Sequence, residues 1–185
     1  MISTTAMMGM AYGLSEIGLS VLKRARSGDV VDRGSFRMLW MTIVGSLFAA
    51  FIAPHSVPQA NFSTSGGLYE FGVGLFVAGL SLRWLAIFWL GKFFTVKVTI
   101  ASDHRVIDTG PYRFVRHPSY TGALAAFLGL GICVGNWVSL LVIMIPITWA
   151  FIKRIDIEEV VLRSALDGPY AAYSRRTRRL VPFVY

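Results

Sequence analysis

Apolar residues run through this chain in long blocks divided by short polar segments, the pattern of helices that cross a membrane. Met7 to Leu22 is apolar but rich in Gly and Ser and interrupted by Glu16, which makes it a marginal first span in need of neighbours. Phe36 to Ala53 is uncharged apart from Arg37, and its 18 residues extend roughly 27 Å, close to the hydrocarbon thickness. Pro54 and Pro58 are expected to end it. Tyr69 to Leu90 forms a third span with Arg83 and Trp84 in its second half. Arg83 is expensive there unless it faces protein, lines a tunnel or snorkels to the membrane edge.

Gly91 to His117 carries Lys92, Lys97, Arg105, Arg113 and Arg116, too many cations for a membrane interior, so it lies in water or among headgroups. Residues 93–100 alternate like a strand, and Asp108-Thr109-Gly110-Pro111 reads as a turn. Two short apolar blocks follow, Tyr120 to Val134 and Trp137 to Ile152, with only Gly135 and Asn136 between them. They predict a tight helical hairpin inserted from one side. Gly122, Ala125, Ala126, Gly129 and Gly131 let its first arm approach its partners closely. Asp156 to Arg175 predicts a helix leaving the membrane and broken at Gly168-Pro169, before a basic end at Arg175, Arg176, Arg178 and Arg179.

The pattern therefore predicts an all-α integral membrane protein of about five transmembrane helices, including a tight C-terminal helical hairpin. Composition agrees: 55% of the 185 residues are hydrophobic, 15% are charged, and the mean hydropathy is +0.59. One domain over residues 1–185 is expected, with the N-terminal spans in 1–90 and the part that holds most of the polar residues in 91–185. The net charge of +8 sits in segments between apolar blocks, which argues for membrane orientation over nucleic-acid binding. Segments after the first, third and fifth spans are basic and those after the second and fourth are uncharged. The positive-inside rule then puts the N-terminus outside and the C-terminus in the cytoplasm, and the setting expected is a bacterial inner membrane. Met1 to Leu22 lacks a secretory signal pattern and is expected to be retained. Trp40, Trp84, Trp89, Trp137 and Trp149 fall mostly near span ends, as interface anchors do. Cys133 is the sole cysteine and has no Cys or His at ligand spacing, so no disulfide and no metal are expected.

Polar residues able to do chemistry cluster on both sides of the hairpin. One cluster runs from His104 to Ile107 and from Thr109 to Gly122, and the other is Arg154 with Glu158 and Glu159. Each has a plain reading: Arg-His-Pro as an interfacial turn with Pro118 opening a helix, and Arg154–Glu158 as an i, i+4 surface ion pair. Together they mean more, because a hairpin returns the chain to the face it left. That brings His117 and Arg154 to one cavity on the cytoplasmic side.

Gly110-Pro111-Tyr112, Arg116-His117-Pro118-Ser119-Tyr120-Thr121-Gly122, the upstream His104 to Ile107, and Arg154 with Glu158-Glu159 resemble, in this order, the isoprenylcysteine carboxyl methyltransferase family and its prokaryotic relatives. The resemblance covers about Leu82 to Pro182. It implies that S-adenosylmethionine is held by His104, Arg105, Val106, Ile107, Tyr112, His117, Pro118, Ser119, Tyr120 and Glu158, and that Arg154 meets the acceptor. Lys97 stands near a position where eukaryotic members usually have glutamine.

The chemistry of those side chains suits the implied roles. A sulfonium, an ammonium and a carboxylate need an anion, a donor and an aromatic wall, which Glu158, His117 and the pair Tyr112 and Tyr120 supply. A carboxylate acceptor is already an anion at neutral pH, so its methylation requires alignment and exclusion of water but no general base. Arg154, Glu158 and Glu159 are the expected catalytic residues, Glu159 by orienting Arg154 or the loop around His117. The expected partners are a lipophilic small-molecule or lipidated acceptor such as a prenylcysteine, and membrane lipid, with no nucleic acid. Rival readings are a membrane thiol or amine methyltransferase, a small transporter or membrane subunit, and a nicotinamide-dependent reductase, although no Gly-x-Gly-x-x-Gly element is present.

Overall fold

A computed structural model of the chain describes residues 4–22, 34–94, 106–182 and 185. Five long helices run in chain order: α1 (Thr4–Leu22), α2 (Gly34–Ser56), α3 (Leu68–Leu90), α4 (Pro118–Val134) and α5 (Trp137–Arg176). Three short 3-10 turns, at Pro58–Ala60, Gly91–Phe93 and Gly110–Arg113, connect them. Among the described residues every regular element is helical, with only two isolated β-bridges. Residues 23–33 and Lys97, together with residues 95–100 of the expected strand-like segment, lie outside the described residues.

α2, α3 and α5 are long and apolar enough to cross a membrane, and α4 is apolar but has 17 residues. Large apolar side chains on the outer faces, such as Phe48 at 71% exposure, Phe88 and Ile145, are what a lipid-facing surface requires. The protein is an integral membrane protein of the all-helical kind.

α2 runs through Pro54 and ends at Ser56, three residues past Ala53, the expected end, and the Val57 N–H still bonds to the Ala53 carbonyl at 2.8 Å. The hairpin turn uses the two residues that the sequence singles out. Gly135 takes φ +71° as the left-handed C-cap of α4, and the Asn136 side chain accepts from the Ser139 N–H at 3.0 Å as the N-cap of α5. Asn136 is fully buried and also donates to the carbonyl of Val57 and to Asn61 Oδ1, tying the turn to the segment after α2.

α5 continues without interruption from the apolar arm through the polar Asp156 region to Leu166, about 45 Å at 1.5 Å per residue. Its one non-helical residue is Asp167 (φ 33°, ψ −114°), immediately before Gly168-Pro169, where the proline ring cannot sit beneath an unbroken turn.

The small residues of α4 permit the expected close approach, and most of them serve α3. Gly122 and Gly129 face Gly79 and Gly72 of α3, so closely that a Cβ at Gly122 would lie 2.5 Å from the Gly79 carbonyl oxygen and 2.6 Å from the Arg83 nitrogen. Only Gly131 faces the other hairpin arm, against Leu140. Thus α4 is clamped to α3, while α5 packs between α4 and α2. α1 joins through polar contacts: Glu16 grips Arg83, and Trp84 Nε1 donates to Ser15 Oγ at 2.7 Å.

Candidate active site

The α3–α4 clamp and the hairpin bring the first turn of α4 beside the turn of α5 that carries Arg154 and Glu158. Pro118 occupies the first position of α4, and His117 precedes it as its N-cap residue in a non-helical conformation (φ −125°, ψ 57°). The imidazole is thereby turned toward α5. His117 Nδ1 lies 3.6 Å from one oxygen of Glu158, and Tyr120, one turn into α4, donates its hydroxyl to the other oxygen at 2.5 Å. Arg154, only 2% exposed, lies 3.2 Å from Glu158 through Nε, donates to the Tyr120 oxygen at 3.3 Å, and through Nη1 donates to Ser35 Oγ on α2 at 2.8 Å. Its guanidinium also stands over the Phe36 ring, 5.8 Å from the centroid. The rings of His117, Tyr120 and Phe151 stack in succession at 5.8 and 4.9 Å. A carboxylate, an imidazole, a phenol and a guanidinium from two helices and the loop that opens α4 thus converge.

They line one cavity of about 1350 Å³, open mouth included. Its walls differ in chemistry. Val106, Ile107, Tyr112, Leu162, Tyr170 and Tyr173 form an apolar and aromatic surface next to Glu158 and His117. α1 and α2 contribute Tyr12, Leu19, Leu39, Trp40 and Ile43, an apolar lining continuous with the membrane-spanning part of the fold. Trp40 therefore lines the cavity.

Tyr112 is presented by the 3-10 turn after Gly110, whose positive φ of 57° and contact with the Trp89 ring leave no room for a Cβ. Its hydroxyl donates to the Ala86 carbonyl at 3.2 Å, and its own carbonyl accepts from Tyr173 Oη at 2.7 Å. Burial pushes the Tyr112 phenol well above its ordinary range, so it is a neutral donor throughout the working pH range.

Of the residues expected at the site, Val106, Ile107, Tyr112, His117, Ser119, Tyr120, Arg154 and Glu158 line the cavity. Pro118 does not; it is buried as the helix start. His104 and Arg105 lie outside the described residues. Glu159, expected among the catalytic residues, is absent from the cavity wall. It is 2% exposed on the neighbouring face of α5, where its carboxylate meets Arg116 Nε at 2.7 Å, Arg179 Nη2 at 3.0 Å and His117 Nε2 at 3.4 Å. A carboxylate so occupied is a hub that holds the His117 loop.

Sequence reading missed three contributors. Ser35 carries no signal until α2 is docked. Arg116 and Arg179 read as cations of a basic segment, yet both converge on Glu159. The third is the pairing of Glu16 with Arg83, at 2.5 and 2.8 Å, both lining the cavity. A detectable signal did exist here: one acid and one base of opposite sign, each stranded in an otherwise apolar block. Arg83 also donates to the Ser119 carbonyl at 3.3 Å, linking α1 to the first turn of α4.

The chain has relatives among known proteins. Residues 72–164, about half of it, match the model of the isoprenylcysteine carboxyl methyltransferase family. It is 32% identical over 117 residues to protein-S-isoprenylcysteine O-methyltransferase B of Arabidopsis thaliana, covering 62% of this chain and 59% of that protein. It is 34% identical over 116 residues to the protein-S-isoprenylcysteine O-methyltransferase of Saccharomyces cerevisiae, covering 61% and 48%. The solved structure of a eukaryotic intramembrane Ras methyltransferase, an isoprenylcysteine carboxyl methyltransferase, superposes with a TM-score of 0.66 at 27% identity, over 84% of this chain and 55% of that one. The chain thus spans about half the length of these relatives. With this match and these relatives, it belongs to the isoprenylcysteine carboxyl methyltransferase family.

Proposed function

We propose that the protein is a membrane methyltransferase that uses S-adenosylmethionine to methylate the carboxylate of a lipophilic acceptor, a prenylcysteine in the first instance. The observation that carries this reading is the meeting of Glu158, Tyr120, His117 and Arg154 at one cavity with an aromatic wall on one side and an apolar one on the other. The residues present fit the donor. Glu158 is a partly exposed carboxylate suited to an ammonium, His117 is a donor for a carboxylate, and Val106, Ile107 and Tyr112 offer a surface for adenine. When bound, S-adenosylmethionine supplies an electrophilic methyl group.

Arg154 binds and orients the acceptor carboxylate, held in place by Ser35 and by the Phe36 ring. Its burial keeps water from the nucleophilic oxygen. The wall formed by α1 and α2 receives the lipid chain.

The proposal extends to five spans in one domain over residues 1–185. Residues 1–90 shape acceptor access, and residues 91–185 hold the donor. The N-terminus lies outside and the cavity opens to the cytoplasm, an orientation supported by the alternation of basic and uncharged segments. The proposed setting is a bacterial inner membrane, on the sequence alone.

A radiolabelled-methyl assay with prenylcysteine, fatty-acid and thiol acceptors tests this reading. Label in a base-labile ester of the prenylated acid is the expected result. Transfer to the thiol alone, unaffected by Arg154→Lys, would favour the rival chemistry.

A further inference from the structure

The chain's last residues return to the donor end of the cavity. Residues 178–180 run alongside residues 115–121: the N–H of Arg116 donates to the Arg178 carbonyl at 2.7 Å, that of His117 to the Arg179 carbonyl at 3.0 Å, and Thr121 Oγ1 to the Leu180 carbonyl at 2.7 Å. Val115 and Arg178 form a parallel bridge, and Thr177 and Leu180 are buried. Arg179 then reaches His117 by a second route. Its guanidinium donates to Glu159 Oε2 at 3.0 and 3.2 Å, and Glu159 Oε1 faces His117 Nε2 at 3.4 Å. Arg179 Nη1 also lies 3.0 Å from Asp156 and donates to Tyr185 Oη at 2.8 Å.

The imidazole is thus held at its backbone by one part of Arg179 and at its far nitrogen, through Glu159, by another. Its near nitrogen faces Glu158 in the cavity. We propose that Arg179 is a positioning residue for the donor site: the C-terminal segment clasps His117 and thereby sets affinity for the methyl donor and not for the acceptor. This rests on the functional reading above. Its logic is geometric, since the clasp touches the loop and α4 turn at the donor end, whereas Arg154, which meets Tyr120 and Glu158 through Nε, has a further anchor in Ser35 on α2 that the clasp does not touch.

The test compares wild type with Arg179→Ala, Arg179→Lys and Thr121→Val as full chains in detergent. KM is measured separately for S-adenosylmethionine and for a prenylcysteine, and hydrogen exchange is followed in parallel. Arg179→Ala is expected to raise donor KM roughly tenfold, the worth of one charged hydrogen bond, with acceptor KM unchanged. Arg179→Lys recovers most of the loss, and Thr121→Val shifts donor KM in the same direction by less. Exchange at 114–121 accelerates in Arg179→Ala while that at 72–79 does not. An unchanged donor KM, or equal rises in both KM values without rescue by lysine, would overturn the proposal. If the wild type transfers no methyl group, the functional reading fails. The exchange data then still decide whether Arg179 holds the loop, because unaltered protection at 114–121 refutes the clasp by itself.

Discussion

Arg154 has Nε close to a carboxylate and a phenol, Nη1 bonded to a hydroxyl, and almost none of its surface in solvent. Such a group holds a bidentate partner only in a fixed plane, which lysine cannot reproduce. Arg154→Lys is therefore expected to raise acceptor KM by about thirtyfold, roughly 2 kcal/mol, while donor binding by titration stays as in wild type. A parallel loss of donor binding would mean that Arg154 serves the donor instead. The sequence displays Arg154 and Glu158 as an i, i+4 pair and His117 as part of a dense polar motif, and the two-residue hairpin connection makes their approach legible. The role of Glu159 was not legible in that way. It follows Glu158 directly, so it faces about 100° around the helix, and its partners come from residue 116 and from the chain end, which local spacing does not relate to it.

At the level of elements, two devices hold the cavity walls together. The first is the glycine face between α3 and α4, visible in retrospect as Gly72 and Gly79 matched to Gly122 and Gly129 at the same seven-residue separation. The spacing of small residues announces close approach, but it does not name the helix approached. Gly122→Ala should destabilise the fold by about 1–3 kcal/mol through overpacking, whereas Gly74→Ala, with no atom near its Cβ position, should be neutral or slightly stabilising. Thermal unfolding in detergent separates the two. Equal effects would dissolve the argument for a close helix interface.

The second device is the Glu16–Arg83 pair, which explains how a marginal span finds its place in the bundle. Glu16→Ala leaves a buried guanidinium without its carboxylate and is expected to cost about 3–5 kcal/mol. Glu16→Leu combined with Arg83→Met should recover most of that stability. It should not recover activity, because the Arg83 bond to the Ser119 carbonyl beside His117 is also lost. Full activity in the double variant would reduce the pair to a structural tie.

Across the whole molecule, the fold sorts its surfaces by solvent. Apolar side chains cover the outer faces of the spans, polar groups are buried in pairs, and the arginine-rich end folds back on the loop that opens α4. The number of long helices was legible because apolar blocks of membrane length are a coarse signal. The continuity of α5 was not, because hydropathy falls at Asp156 while helix geometry does not change. The proposed orientation predicts that a reporter fused after Tyr185 is active in the cytoplasm and one fused before Met1 outside, and the reverse pattern would move the cavity mouth to the other leaflet. Isothermal titration of S-adenosylmethionine into detergent-purified wild type and Glu158→Gln asks whether the carboxylate on α5 and the turn opening α4 together hold the methyl donor. Saturable one-to-one binding is expected in the wild type, and binding weaker by roughly 10-fold or more in a variant with unaltered melting. Equal affinity in the two proteins, or no binding in the wild type, would refute that assignment.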